Sequence, residues 1–153
     1  MKKIFVLIIG CFAIGGLLTA QTLNVQVGQV KYQFPAEQAG VMNYTDGTTL
    51  TVMDKVFALA EVGSMFVNDD VVEDNRVSVV YDEASAKVVV AGNVAKYLTV
   101  SVSGAHVDIA QSEDLDQEIT YTLSGSSSDG EFYMSGSYKA TVELNGLTLT
   151  NKT

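Results

Sequence analysis

A mainly β protein, with antiparallel hairpins assembled into a sandwich-like module, is predicted by three observations. The first is the stretch Tyr97 to Gln111, YLTVSVSGAHVDIAQ. Leu98, Val100 and Val102 alternate with Thr99, Ser101 and Ser103; past Gly104-Ala105, Val107 and Ile109 alternate with His106, Asp108 and Ala110. Period-two alternation of this length marks a pair of half-buried strands. A glycine at the first position of a two-residue loop suits a type II′ turn, whose twist matches that of the strands. The register that follows sets Ser103 opposite His106, Val102 opposite Val107 and Val100 opposite Ile109. The second observation is that no apolar spacing supports a helix of several turns. The third is composition: a single proline, with Val and Thr filling the alternating segments, which favours strands.

The elements follow in order. Lys2 and Lys3 precede an apolar run from Ile4 to Leu18 and then Thr19-Ala20-Gln21. A basic start, a short apolar core and a small residue at the end predict a secretory signal peptide over 1–20, too short to favour a retained span. Cys11, the only cysteine, lies inside it. Ile8-Ile9-Gly10-Cys11 loosely matches a lipoprotein box, but the apolar run continues past the cysteine, which favours a signal core over a lipid anchor. Cleavage after Ala20 leaves no cysteine, so the fold must rest on a core rather than on disulfides. It also leaves 7 basic against 18 acidic residues, a formal charge of −11. That balance opposes binding to nucleic acid or to anionic membranes.

Residues 21–92 read as an N-terminal β module. Leu23, Val25, Val27 and then Val30, Tyr32, Phe34 give two short strands, and Pro35 to Gly40 a single helical turn opened by Pro and closed by Gly. Asn43 to Thr48 reads as turn, with Asp46-Gly47 at its corner. Strands follow at Leu50–Val52, Val56–Leu59 and Met65–Val67, then an acidic loop from Asn68 to Asn75. Val77–Tyr81 and Lys87–Val90 form a hairpin about Asp82 to Ser85. Gly92-Asn93 marks a break, so 93–153 reads as a second, hairpin-built region. There Ser112 to Glu118 is a second acidic loop, Ile119–Leu123 a strand and Gly125 to Gly130 a loop. Strands at Phe132–Met134, Tyr138–Leu144 and Leu147–Leu149 complete the chain, the last two joined by the tight-turn dipeptide Asn145-Gly146. The final strand has no covering element, and such an open edge invites pairing.

Candidate chemistry is sparse. His106, the only histidine, shares the polar face of its hairpin with Ser101, Ser103 and Asp108. A nucleophilic triad also needs convergence and an oxyanion hole, so solvated strand polarity is the preferred reading and no enzyme activity is expected. The acidic loops carry Asp69, Asp70, Glu73 and Asp74, and Glu113, Asp114, Asp116 and Glu118. Neither has the ligand spacing of a calcium loop. No cofactor is expected; calcium shared between loops is the alternative to charges that discourage edge association. Tyr32, Phe34, Tyr81 and Tyr121 fall at core spacing, whereas Tyr44 and Tyr133 sit in or beside loops and are the candidate sugar platforms. The absence of Trp weighs against such platforms.

Six stretches carry a resemblance: YQFPA at 32–36, GTTLT at 47–51, VAGNVA at 90–95, SVSGAHV at 101–107, EITYTLSG at 118–125 and GSYKATVELNGLTLTN at 136–151. Together they resemble the N-terminal part of secreted bacterial carbohydrate-binding-domain-containing proteins whose body is a right-handed parallel β-helix. The resemblance implies an exported, non-catalytic module of a cell-surface or secreted glycan-binding protein, with the last two stretches entering the first coils. In that family many coils follow, while this chain stops after about one. A lone coil cannot bury its apolar side without neighbours. Two expectations stand: a truncated or split reading frame, or strands folded back into a compact sandwich. A structural or adhesive subunit that self-associates through the open last strand is the alternative function.

Overall fold

A computed structural model describes residues 21–40 and 42–152. The expected signal peptide and Cys11 lie outside the described residues. Thirteen strands and two helical turns follow in order: β1 (Thr22–Val27), β2 (Val30–Pro35), α1 (Ala36–Ala39), β3 (Asn43–Thr45), β4 (Thr49–Val52), β5 (Lys55–Ala58), β6 (Val62–Asn68), β7 (Arg76–Asp82), β8 (Ser85–Ala91), α2 (Gly92–Ala95), β9 (Leu98–Ser103), β10 (His106–Gln111), β11 (Ile119–Ser127), β12 (Glu131–Ser135) and β13 (Ala140–Leu149). No described helix is long and apolar enough to cross a membrane.

A seven-stranded sheet, ordered β13-β11-β7-β8-β2-β1-β6, forms one layer. Two three-stranded sheets, β12-β10-β9 and β3-β4-β5, complete the sandwich-like arrangement. The alternation explains the layering. Val77, Val79 and Tyr81 of β7, Val88 and Val90 of β8, and Ile119, Tyr121 and Leu123 of β11 are all buried. Val107 and Ile109 of β10 are buried too, and the Tyr121 and Phe132 rings meet at 6.0 Å between centroids. Under β2, the small sheet supplies Phe57, whose ring lies 5.1 Å from Tyr32 and 6.1 Å from Phe34, both edge-on. Gly92 opens α2 where an added Cβ would stand 2.4 Å from the Phe34 ring, so the turn after β8 closes directly over that cluster.

The expected hairpin register holds: Ser103 pairs with His106, Val102 with Val107 and Val100 with Ile109. Gly104 has φ +60°, as a II′ turn requires. Not every pair is antiparallel. β2 runs parallel to β8, β11 to both β7 and β13, and β12 to β10. From β10 onward the chain therefore winds between layers: β11 joins the large sheet, β12 returns beside β10, and β13 returns beside β11.

Four local expectations are corrected. Asn43–Thr45 is a strand, held by pairing with β4, not part of a turn. Gly92-Asn93 begins a helical turn, and the large sheet continues across that position through the β7–β11 pairing. β11 runs on to Ser127, so the loop expected from Gly125 starts later. Asn145-Gly146 is no hairpin turn: β13 is one strand, and Gly146, at φ +67°, is the extra residue of a bulge between the pairs Ser124–Asn145 and Gly125–Leu147. A left-handed glycine serves a bulge as well as a turn, so the dipeptide alone could not distinguish them. The β13 side chains register-matched to Tyr121 and Leu123 are Val142 and Leu144. They are 45% and 70% exposed, whereas Ala140, Leu147 and Leu149 of the same strand pack against the core.

Gly125 has φ +85°, and a Cβ there would lie 2.0 Å from the Tyr81 carbonyl oxygen across the β7–β11 seam. Gly125→Ala is expected to lower unfolding stability by about 1–3 kcal/mol from backbone strain alone, with the clash adding to it; urea denaturation measures the loss. Burial pushes the Tyr32 phenol from 10.0 up to about 12. A raised folded-state value means that its contribution is complete below pH 10.0 and is lost as pH rises toward about 12. Tyr32→Phe should flatten the fall of stability across that window by up to about 1.4 kcal/mol per pH unit, read from denaturant midpoints at stepped pH.

Candidate functional site

The β9–β10 hairpin and β12 build an open, wet face. The hairpin turn is anchored at both carbonyls: the Ala86 amide donates to Gly104 O at 2.8 Å and the Glu131 amide to Ala105 O at 3.0 Å. The second bond sets the start of β12, and parallel pairing then carries Glu131 beside His106 and Tyr133 beside Asp108. Combined with the hairpin register, two rows result: Ser103–His106–Glu131 and Ser101–Asp108–Tyr133. Because side chains alternate between faces, burying Val107 and Ile109 aims both rows outward. Val107 and the six residues of these rows line a cleft of about 440 Å³.

Tyr81 supports the face from behind. Its hydroxyl donates to Glu131 O at 2.9 Å. Burial, with the Glu131 charge adding to it, pushes this phenol up to about 12. On the open side, His106 Nδ1 lies 3.6 Å from Glu131 Oε2, with the two side chains 41% and 42% exposed. The Asn151 amide donates to the same oxygen at 3.0 Å. The Tyr133 ring is 54% exposed.

The sequence-predicted residues separate here. Ser101, Ser103, His106, Asp108 and Tyr133 come together, whereas Tyr44, 62% exposed, stands on β3 in the other small sheet and does not line the cleft. Glu131 was missed; it is distant in sequence and reaches His106 only through parallel pairing. The signal was present in β12 itself, where Glu131, Tyr133 and Ser135 alternate with Phe132 and Met134. A row of serine, histidine and carboxylate resembles a nucleophilic triad in its order. The His106–Glu131 separation exceeds the usual range for a hydrogen bond, and no hydrogen bond joins Ser103 to His106 among the described residues. What the face presents is an aromatic ring on its edge strand beside rows of hydrogen-bonding groups, a combination suited to holding a polar ligand.

Three carboxylates of the acidic loops are engaged with their own chain. Asp70 takes a hydrogen bond from Gln33 and lies 3.8 Å from Lys31 Nζ. Glu73 and Glu143 flank Arg76 at 2.6 and 3.0 Å. Glu118 accepts from Lys139 Nζ at 2.7 Å and from the Thr141 hydroxyl at 2.6 Å; these bonds, the lysine first, hold its carboxyl below the ordinary value. Among the described residues no group of three His, Cys, Asp or Glu side chains is placed to hold a metal ion.

Against this geometry stands the comparison with known proteins: no family model, curated protein or solved structure matches the chain.

Proposed function

We propose that the protein is an exported, non-catalytic glycan-binding module, and that the outer face of the β9–β10–β12 sheet is its contact surface. One observation carries the reading: an exposed Tyr133 ring lines a cleft whose other groups are mainly serine, histidine and carboxylate. Sugar CH groups stack on such a ring, and the surrounding oxygens and nitrogens orient the hydroxyls. The resemblance of the chain to carbohydrate-binding surface proteins supports the same reading, as does the signal-like segment at its start for secretion or display at the cell surface.

A specific observation favours a second reading, association through β13. That strand ends the large sheet with a free edge, and Val142 and Leu144 lie uncovered on its inner side. The parallel stacking of β7, β11 and β13, and of β10 and β12, is the form in which further coils of a β-helix would add. A pairing strand would bury both side chains and satisfy the edge.

Glycan-array screening followed by titration calorimetry on the purified protein tests the first reading. Tyr133→Ala should weaken binding at least tenfold with the thermal midpoint unchanged, while Tyr44→Ala leaves affinity intact. Equal loss in Tyr44→Ala, or turnover of an ester or glycoside abolished by His106→Ala, overturns it. Sedimentation velocity tests the second: concentration-dependent oligomers should form and disappear in Leu144→Lys.

A further inference from the structure

Resting on the glycan reading, we infer that the β9–β10–β12 face selects its sugar by charge, preferring amino-bearing glycans over neutral ones and rejecting acidic ones. The cleft is lined by Ser101, Ser103, His106, Val107, Asp108, Glu131 and Tyr133, with no lysine or arginine among them. Asp108 is the deciding group. It is exposed, and its carboxylate has no hydrogen bond or ion pair with a described residue, unlike that of Glu131, which faces His106 and accepts from Asn151. Its cross-strand partner is Tyr133, whose ring stands open to solvent. Adjacent strands lie about 4.8 Å apart, so the Asp108 carboxylate and the Tyr133 side chain stand side by side along the same open cleft. A primary ammonium gains there from the carboxylate charge and from the ring quadrupole together.

The same residues act against uronates and sulfated sugars. Their anions would approach Asp108 and Glu131 with no lysine or arginine lining the cleft to compensate, and like charges at this range repel. A neutral N-acetylated sugar keeps the stacking and the hydrogen bonds and loses the ammonium contact alone. An order of affinity follows, and both steps shrink in salt, because exposed charges are screened over about 8–10 Å at moderate ionic strength.

Three oligosaccharides of equal length test this: a fully deacetylated chito-oligosaccharide with its amines protonated, its N-acetylated form, and an oligogalacturonate. Calorimetry at low and high salt should rank them in that order, each step about two- to fivefold at low salt. Asp108→Asn should remove the preference of the first over the second while the second still binds. Asp116→Asn, which removes the same charge from the loop before β11, should leave the preference in place and so exclude simple attraction to an acidic protein. Oligogalacturonate binding as tightly as the amino form, or an unchanged ranking in Asp108→Asn, overturns the charge selection and leaves the glycan reading standing. Binding of none of the three, or binding insensitive to Tyr133→Ala, overturns the glycan reading and this inference with it.

Discussion

The architecture depends on the parallel seam between β7 and β11. Without it, the N-terminal strands and the winding C-terminal strands would be two thin sheets, each with an apolar face and too little partner surface. Joined, they make one seven-stranded layer whose inner side chains Val77, Val79, Tyr81, Ile119, Tyr121 and Leu123 are all buried. The seam is tight enough to dictate a residue type: Gly125 lies against the Tyr81 backbone, where no side chain fits. Burial of this apolar surface, at about 25 cal/mol per Å², is the main favourable term for a chain in which no described residue is a cysteine.

The candidate site is a by-product of the same burial. The face that carries Ser101, Ser103, His106 and Asp108 looks outward only because Val107 and Ile109 look inward, and neither orientation can change without the other. Tyr81 ties the two together, since its ring belongs to the core and its hydroxyl holds the backbone of Glu131 at the start of β12. A binding face built on paired strands is stiffer than one built on loops.

The two ends of the large sheet are unalike. β6 pairs antiparallel with β1, and beyond it the loop reaching Asp70 closes over the outer face: Thr22 and Asn24 are buried there, with the Thr22 hydroxyl bonded to Asp70 O and the Asn24 amide to Asn68 Oδ1. At the β13 end nothing of the kind occurs. Lys139 and Thr141 donate to Glu118 on the surface, but Val142 and Leu144 stay open. An edge strand with apolar side chains of this exposure is the sort of surface that proteins ordinarily cover or charge.

Local sequence determined the strands themselves, the II′ turn at Gly104, the hairpin register through Val102 and Val107, and the inward placement of Tyr32, Phe34, Tyr81 and Tyr121. All of these follow from period two and from turn chemistry, which act between near neighbours. Half of the site was legible in the same way: Ser101, Ser103, His106 and Asp108 lie on one hairpin, and Tyr133 stood out as an aromatic beside a loop. The outward side of Glu131 was legible in the alternation of β12, but its place beside His106 was not, nor was the grouping of Tyr133 with Asp108. Those depend on parallel pairings between strands 21–25 residues apart, and alternation is identical for parallel and antiparallel partners. The bulge at Gly146 belongs with them, because the left-handed backbone that Asn145-Gly146 favours serves a turn or a bulge equally, and only the neighbouring strand decides which one forms.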